Sequence, residues 1–397
     1  MRRAALLAGL FLAALSLRPQ LVGTGPLLPA VQRDLGVSHA VAGLLGTVPI
    51  LCMGLFAPPA PFVSGRLGSR AALAASLALI GVFGVARAAA PGAALVILLT
   101  FPIGIGMGIA GALLPVWVKE RFADRPAFAT GVYAGAISIG ATLSSATAVP
   151  LAHALGGWQA PLYVFSGITV GLAAVWLRLT RDEPAHVRTA ARPLRLPYRS
   201  TTGWRLVGAF FLMSSIFYGL NAWLPDAYAE RGWSAGSAGA LVAVMNGVGI
   251  PCSFVVGWLA DRFGSRRAWL GGTAALQLGA LLGIVLLPGG GWVWAVLLGA
   301  AIGPMFPLTL TLPLDAGARP ADVAAFTGLM LGAGYTLSSS APLVLGAARD
   351  ATGSFTTSLW VLVGLGAALV VLDASLTRAR LGAGRPSGER PLEAASG

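Results

Sequence analysis

Arg18 lies fifteen residues from the charge before it, Arg3, and fifteen from the charge after it, Arg33. The stretch around it, "LSLRPQLVGTGPLLP" at 15–29, is otherwise apolar, small or uncharged. Fifteen helical residues rise about 22 Å, so a helix here would hold a guanidinium at the middle of a bilayer. A charge at that depth costs about 2.5–3.5 kcal/mol on insertion scales. Its side chain is too short to reach either surface from a midplane about 15 Å deep. The chemistry open to such a group is anion recognition, because a planar, permanently charged fork matches carboxylates and small oxyanions. The fourteen acids, from Asp34 to Glu393, all fall at expected span ends, in loops or in the tail, and the three histidines are peripheral. The sequence therefore expects Arg18 to be the only charge in the core, with its counter-charge brought by the substrate. The structural alternative is an arginine bonded to carbonyls freed around Pro19 and Pro26, holding a kink.

The rest of the chain must supply the bilayer-spanning frame. Apolar residues make up 56% of the 397 and charged residues 10%, with a mean hydropathy of +0.79. A soluble domain is nearer a quarter charged. Twelve stretches are long enough to cross: 4–30, 39–64, 71–90, 94–118, 127–150, 158–178, 204–225, 236–259, 268–288, 292–314, 321–347 and 355–377. The N-terminal "MRRAALLAGLFLAALS" resembles a signal peptide, but the apolar run continues to Pro29, so it reads as the first span. Gly104, Gly106, Gly108 and Gly111 in the fourth span permit close helix contact. Counted by loop, 22 basic residues fall on the side holding both termini and 4 on the other, which places the termini in the cytoplasm.

The net charge of +13 forms no basic face, so nucleic acid is not expected as a partner. Cys52 and Cys252 are two lone thiols within spans, neither a disulfide framework nor a metal site. With no paired carboxylates, no metal cluster and no nucleophile beside a base, an enzyme is not expected, and neither is a cofactor or metal.

An internal repeat organises the spans. "LPAVQRDLGVSHAVAGLL" (28–45) aligns with "LPDAYAERGWSAGSAGAL" (224–241), pairing Pro29 with Pro225, Gly36 with Gly232, Ser38 with Ser234 and Gly43 with Gly239. The same offset of 196 carries "GRLGSR" (65–70) onto "DRFGSR" (261–266). Two copies imply an N-terminal half at 1–180, a cytoplasmic linker at 181–203, a C-terminal half at 204–378 and a disordered tail at 379–397. This is the plan of a secondary transporter with its site between the halves. The offset maps Arg18 onto Ser214. From there one helical face runs through Tyr218 and Asn221, so these three are candidate substrate ligands opposite Arg18. Asn246, Tyr133 and Tyr335 are further candidates in their spans. Trp117, near a helix end, is a candidate whose alternative is an interface anchor.

The loop "GWLADRFGSRR" (257–267) has the form G-x-x-x-D-R-x-G-x-R-R. It resembles the signature loop of the major facilitator superfamily. "LRPQLVGTGPLLP", followed by "GLLGTVPILCMGLFAPPAP" (43–61) and "GIGMGIAGALLPVWVKERF" (104–122), resembles the cyanate and 2-nitroimidazole transporter family. The resemblance implies an all-α membrane protein of twelve helices in two pseudo-symmetric six-helix halves. It also implies a small solute carried across the cytoplasmic membrane by alternating access: a small anion of the cyanate type, or alternatively a neutral nitroimidazole-like compound. The loops would gate this movement through Gly65, Arg66, Arg70, Asp261, Arg262, Arg266 and Arg267, with Asp261 docking near the start of the fifth span at Pro126. Three departures stand out. Gly65 takes the place of the first-half Asp. The membrane Arg that many proton-coupled members carry is missing near Thr100. "GVYAGAISIG" (131–140) lacks the Gly-Pro pair of drug antiporters. They argue against a proton-driven multidrug exporter. The expected partners are a small anionic molecule and the lipid bilayer, and the carrier is expected to act as a monomer.

Overall fold

The computed structural model describes residues 2–122, 126–181, 196–263, 266–316 and 320–376. Most of the linker and all of the expected tail lie outside these residues. The described chain is helical throughout: α1 (Arg2–Leu15), α2 (Pro19–Val22), α3 (Leu28–Leu35), α4 (His39–Phe56), α5 (Ala60–Leu67), α6 (Ser69–Ala88), α7 (Ala93–Arg121), α8 (Pro126–Leu155) and α9 (Gln159–Leu179), then α10 (Thr201–Ala229), α11 (Ala235–Phe263), α12 (Arg266–Leu286), α13 (Gly291–Ala316), α14 (Pro320–Ser338), α15 (Ser340–Thr352) and α16 (Phe355–Ser375). Eleven stretches among the described residues are long and apolar enough to cross a membrane. The twelfth expected crossing, 321–347, is made by α14 and α15 together, interrupted at Ser339.

The repeat is visible in the backbone. Gly36 and Gly232 both take left-handed φ, 62° and 86°, a conformation glycine adopts without the Cβ penalty. Asp34 Oδ2 accepts from Trp158 Nε1 at 2.8 Å and Gln159 Nε2 at 3.3 Å, at the start of α9. Its counterpart 196 residues on, Glu230, accepts from the Phe355 N–H at 3.2 Å, at the start of α16. In each half a carboxylate from the end of the first crossing fastens the start of the last.

The first crossing is not the continuous helix expected over 4–30. It breaks after Leu15 and resumes as α2, a 3-10 turn at Gly25–Leu27, and α3. Pro19 has no N–H and cannot bond the Leu15 carbonyl. Gly140 of α8 lies against that carbonyl, where a Cβ would overlap it. The break is fixed from a second side by Arg87. Arg87, one of the four basic residues counted on the side opposite the termini and near the end of the expected span 71–90, is fully buried at the end of α6. Its Nη2 donates to the Gln20 carbonyl at 3.1 Å and to Gln20 Oε1 at 2.7 Å. Gln20 Nε2 in turn donates to Ser166 Oγ at 2.7 Å. Arg18 is thus not the only charge inside the bundle; Arg87 is a second, held by the carbonyl and amide of the segment it braces. Gln20→Leu removes the side-chain acceptor of a buried cation, and hydrogen bonds to charged groups are worth about 1.5–3 kcal/mol. We expect the variant to melt measurably lower than wild type in detergent; an unchanged melt would show that Gln20 does not hold Arg87.

The halves touch at the end of the bundle opposite the chain termini. Gly43 and Gly46 of α4 lie against Pro342 of α15, Gly25 against Asn221 of α10, and Gly239 of α11 against Pro26 and Val149. Toward the other end, Gly131 of α8 and Gly257 of α11 have open space beside them. Phe254 and Trp258 of α11 are each 59% exposed. Among the described residues the seam is packed at the His39 end, and α4 and α14 continue it toward the other end, where Gly54 lies against Gly332 and Thr336.

Candidate functional site

Arg18 sits in the gap between α1 and α2, the residue before the proline that stops the helix from continuing. The broken backbone aims its side chain across the molecule. Nη1 lies 2.6 Å from Tyr218 Oη and 3.7 Å from Met53 Sδ. The guanidinium carbon stands 5.7 Å from the centre of the Tyr218 ring, within cation–π range. Its contacts reach a phenol and a thioether rather than the carbonyls around Pro19 and Pro26. The side chain is half-buried, while Tyr218 is buried. Tyr335 also reaches it, and a cation held by neutral groups alone keeps its charge uncompensated.

Tyr218 is buried on α10 because Tyr335 and Phe217 pack against it. Tyr335 of α14 stands 6.4 Å away, ring centre to ring centre, and meets Phe210 edge-on at 4.8 Å. Phe210 also faces Phe306 at 6.2 Å. One turn beyond Tyr218, Asn221 Oδ1 accepts from Asn246 Nδ2 at 2.9 Å, and Asn221 Nδ2 donates to the Phe217 carbonyl at 2.8 Å. The pair ties α10 to α11 and leaves the Asn246 carbonyl oxygen and its second N–H uncommitted. A cavity with room for about one water lies beside it, lined by Tyr218, Asn221, Thr24 and Gly25.

The structure therefore brings together Arg18, Tyr218, Tyr335, Asn221 and Asn246, with Ser214 buried one turn before Tyr218 on α10. Met53 joins them without a sequence signal, since a methionine in an apolar span looks like any other core residue. Tyr133 is half-buried on α8 and packs on the apolar core. Trp117 is fully buried against Trp176 at 4.9 Å, with Arg121 over its ring at 5.1 Å, so it packs inside the N-terminal half rather than standing at the bundle surface.

Of the loop residues, Arg70 donates to Thr180 Oγ1 at 3.1 Å and to the Leu177 carbonyl at 2.9 Å, closing the C-terminus of α9. Arg66 and Arg262 are exposed and stack on Phe62 and Trp258, at 4.2 and 5.5 Å. Gly65 lies within α5. The side chains of Asp261, Arg266 and Arg267, and those around Pro126, lie outside the described residues, so the expected docking of Asp261 there falls outside them too.

A sequence profile described as the Major Facilitator Superfamily matches residues 5–342. The cyanate transport protein CynX of Escherichia coli (strain K12) is 31% identical over 348 residues, covering 87% of this chain and 90% of that protein. The 2-nitroimidazole transporter of the same strain is 28% identical over 359 residues, covering 90% and 91%. Among solved structures, a point mutant of the nucleoside transporter NupG superposes with a TM-score of 0.77, covering 94% of this chain and 99% of that one at 11% identity. That likeness bears on the fold alone.

Proposed function

The chain belongs to the major facilitator superfamily, and on that footing we propose that it carries a small anion of the cyanate type by alternating access, with Arg18 as the midplane anion site. It is a multi-pass membrane transporter and not an enzyme. The observation that carries the anion reading is the Arg18 guanidinium, set in a helix break between the halves and held by Tyr218 and Met53 rather than by a carboxylate. A substrate anion completes its charge, and the Tyr218 hydroxyl and the Asn221–Asn246 pair orient it. The 22 basic residues on the terminal side support cytoplasmic termini in a bacterial inner membrane.

The relative that transports 2-nitroimidazole and the Tyr218–Tyr335–Phe210 aromatic group favour a second reading, export of a neutral planar compound. Uptake of radiolabelled cyanate into proteoliposomes separates the two. Saturable uptake that excess neutral nitroimidazole does not compete supports the anion reading. Nitroimidazole counterflow without any cyanate uptake overturns it.

A further inference from the structure

The closed end of the bundle carries a polar cluster whose partners come from both halves. His39 is the first residue of α4, in the N-terminal half. Its Nδ1 is 2.7 Å from Asp350 Oδ1 at the end of α15. The backbone N–H groups of His39 and Ala40 donate to the same carboxylate at 3.2 and 2.8 Å. On the other edge of the imidazole, Nε2 stands 3.5 Å from Asp226 Oδ2 of α10, which also accepts from Gln32 Nε2 of α3 at 3.3 Å. Trp223 and Phe355 enclose the ring, at 5.7 and 5.4 Å between centres.

The charged groups facing this imidazole are Asp226 of α10, Glu230 just after it, and Arg349 and Asp350 of α15. Arg349 and Glu230 are paired with each other at 2.6 Å. From α3, Arg33 is bonded to the Pro29 carbonyl and Asp34 to Trp158 and Gln159, so only the uncharged Gln32 enters the cluster.

A neutral imidazole carries one N–H. Donated through Nδ1 to Asp350, it leaves the Nε2 lone pair facing the Asp226 carboxylate. One further proton, on Nε2 or shared with Asp226, turns that repulsion into attraction. The Asp350 carboxyl is not its place. Burial works to raise this group, but the N–H groups of Ala40 and His39 and the His39 ring outweigh it and hold the carboxyl below the usual range. When the halves part, the imidazole and the two carboxylates separate into water and the extra proton loses the carboxylates that hold it. The closed end therefore keeps this proton to a higher pH than the open end, and between those two limits the state that binds more protons gains as pH falls.

We propose that His39, Asp226 and Asp350 form a proton-binding site at the seam between the halves, loaded from the medium at that face, so that acid there holds this end shut. With the orientation proposed above, that medium is the external one. The ligand is the proton, and the site is separate from the Arg18 cluster.

The test needs no substrate, so it is independent of what the protein carries. Spin labels at Leu155→Cys and Gly289→Cys, in protein with Cys52 and Cys252 replaced, report the distance across the closing end. In nanodiscs the wild-type closed-to-open ratio is expected to fall about threefold or more as pH rises over about 5 to 8, the range in which imidazole changes charge. Asp226→Asn supplies an amide N–H to Nε2 without any proton, so its closed population should be high and flat with pH. His39→Gln should be flat with more of the open form. A flat wild-type profile overturns the proposal outright, and so does a wild-type-like pH profile that survives in both variants.

Discussion

Arg18→Gln is expected to transport at a rate at least about thirtyfold below wild type while folding normally. The size of the effect follows from the geometry. Removing one member of a buried, hydrogen-bonded charge pair costs about 2–5 kcal/mol, and each 1.4 kcal/mol is about tenfold. Here the pair exists only when the anion is bound, so the loss falls on substrate binding rather than on folding. Glutamine keeps an N–H that can reach Tyr218, so the empty protein loses a charge buried at midplane depth and should melt no lower than wild type. Arg18→Lys keeps the charge but not the fork and should fall between the two, chiefly through a higher KM. Initial rates of cyanate uptake, with melts of each variant, check both points. Wild-type uptake by folded Arg18→Gln would make Arg18 structural and remove the anion site.

Gly25→Ala is expected to be nearly as damaging by a different route. Pro225 has no N–H to give the Asn221 carbonyl, and Gly25, from the opposite half, fills the space over that oxygen. A Cβ at position 25 would overlap it. The overlap is with backbone, so no side-chain rotamer relieves it. The halves would have to stay apart at the end that is closed in the wild type. Transport should fall at least about tenfold, the effect of about 1.4 kcal/mol or more against closure. A single cysteine at Ala222, which lines the small cavity under this contact, should label faster from that side than in a Gly25 parent. Unchanged labelling with normal transport would mean that the seam accepts a methyl group.

Much of this frame was legible in the residues because bilayer crossing is a demand on composition and length, and Gly36 and Gly232 mark the repeat in the chain as they do in space. Three features were not legible. A proline within a span is compatible with either a kink or a break, and only the packing of α8 on the Leu15 carbonyl decides for the break. Arg87 reads as a charge at a span end, because nothing local announces that Gln20 and Ser166, from two other crossings, will meet it. The His39 cluster joins residues 187 and 311 positions apart, and the repeat cannot pair them, since the contact runs between the halves rather than within either. Of the site, Arg18 stood out by isolation and Tyr218 by the repeat. Met53 carried no mark.

Arg18, unbalanced in the gap between two helix segments, has an electrical consequence. In alternating access the site stays in place while the aqueous route to it changes sides, so the voltage drop moves from one side of the guanidinium to the other. An empty carrier thereby shifts up to one positive charge through the field, worth about 2.3 kcal/mol per 100 mV for a full crossing. A carrier loaded with a monovalent anion shifts none. Membrane voltage then acts on the unloaded reorientation and leaves the loaded one untouched. In a cell negative inside it favours the empty site open toward the interior.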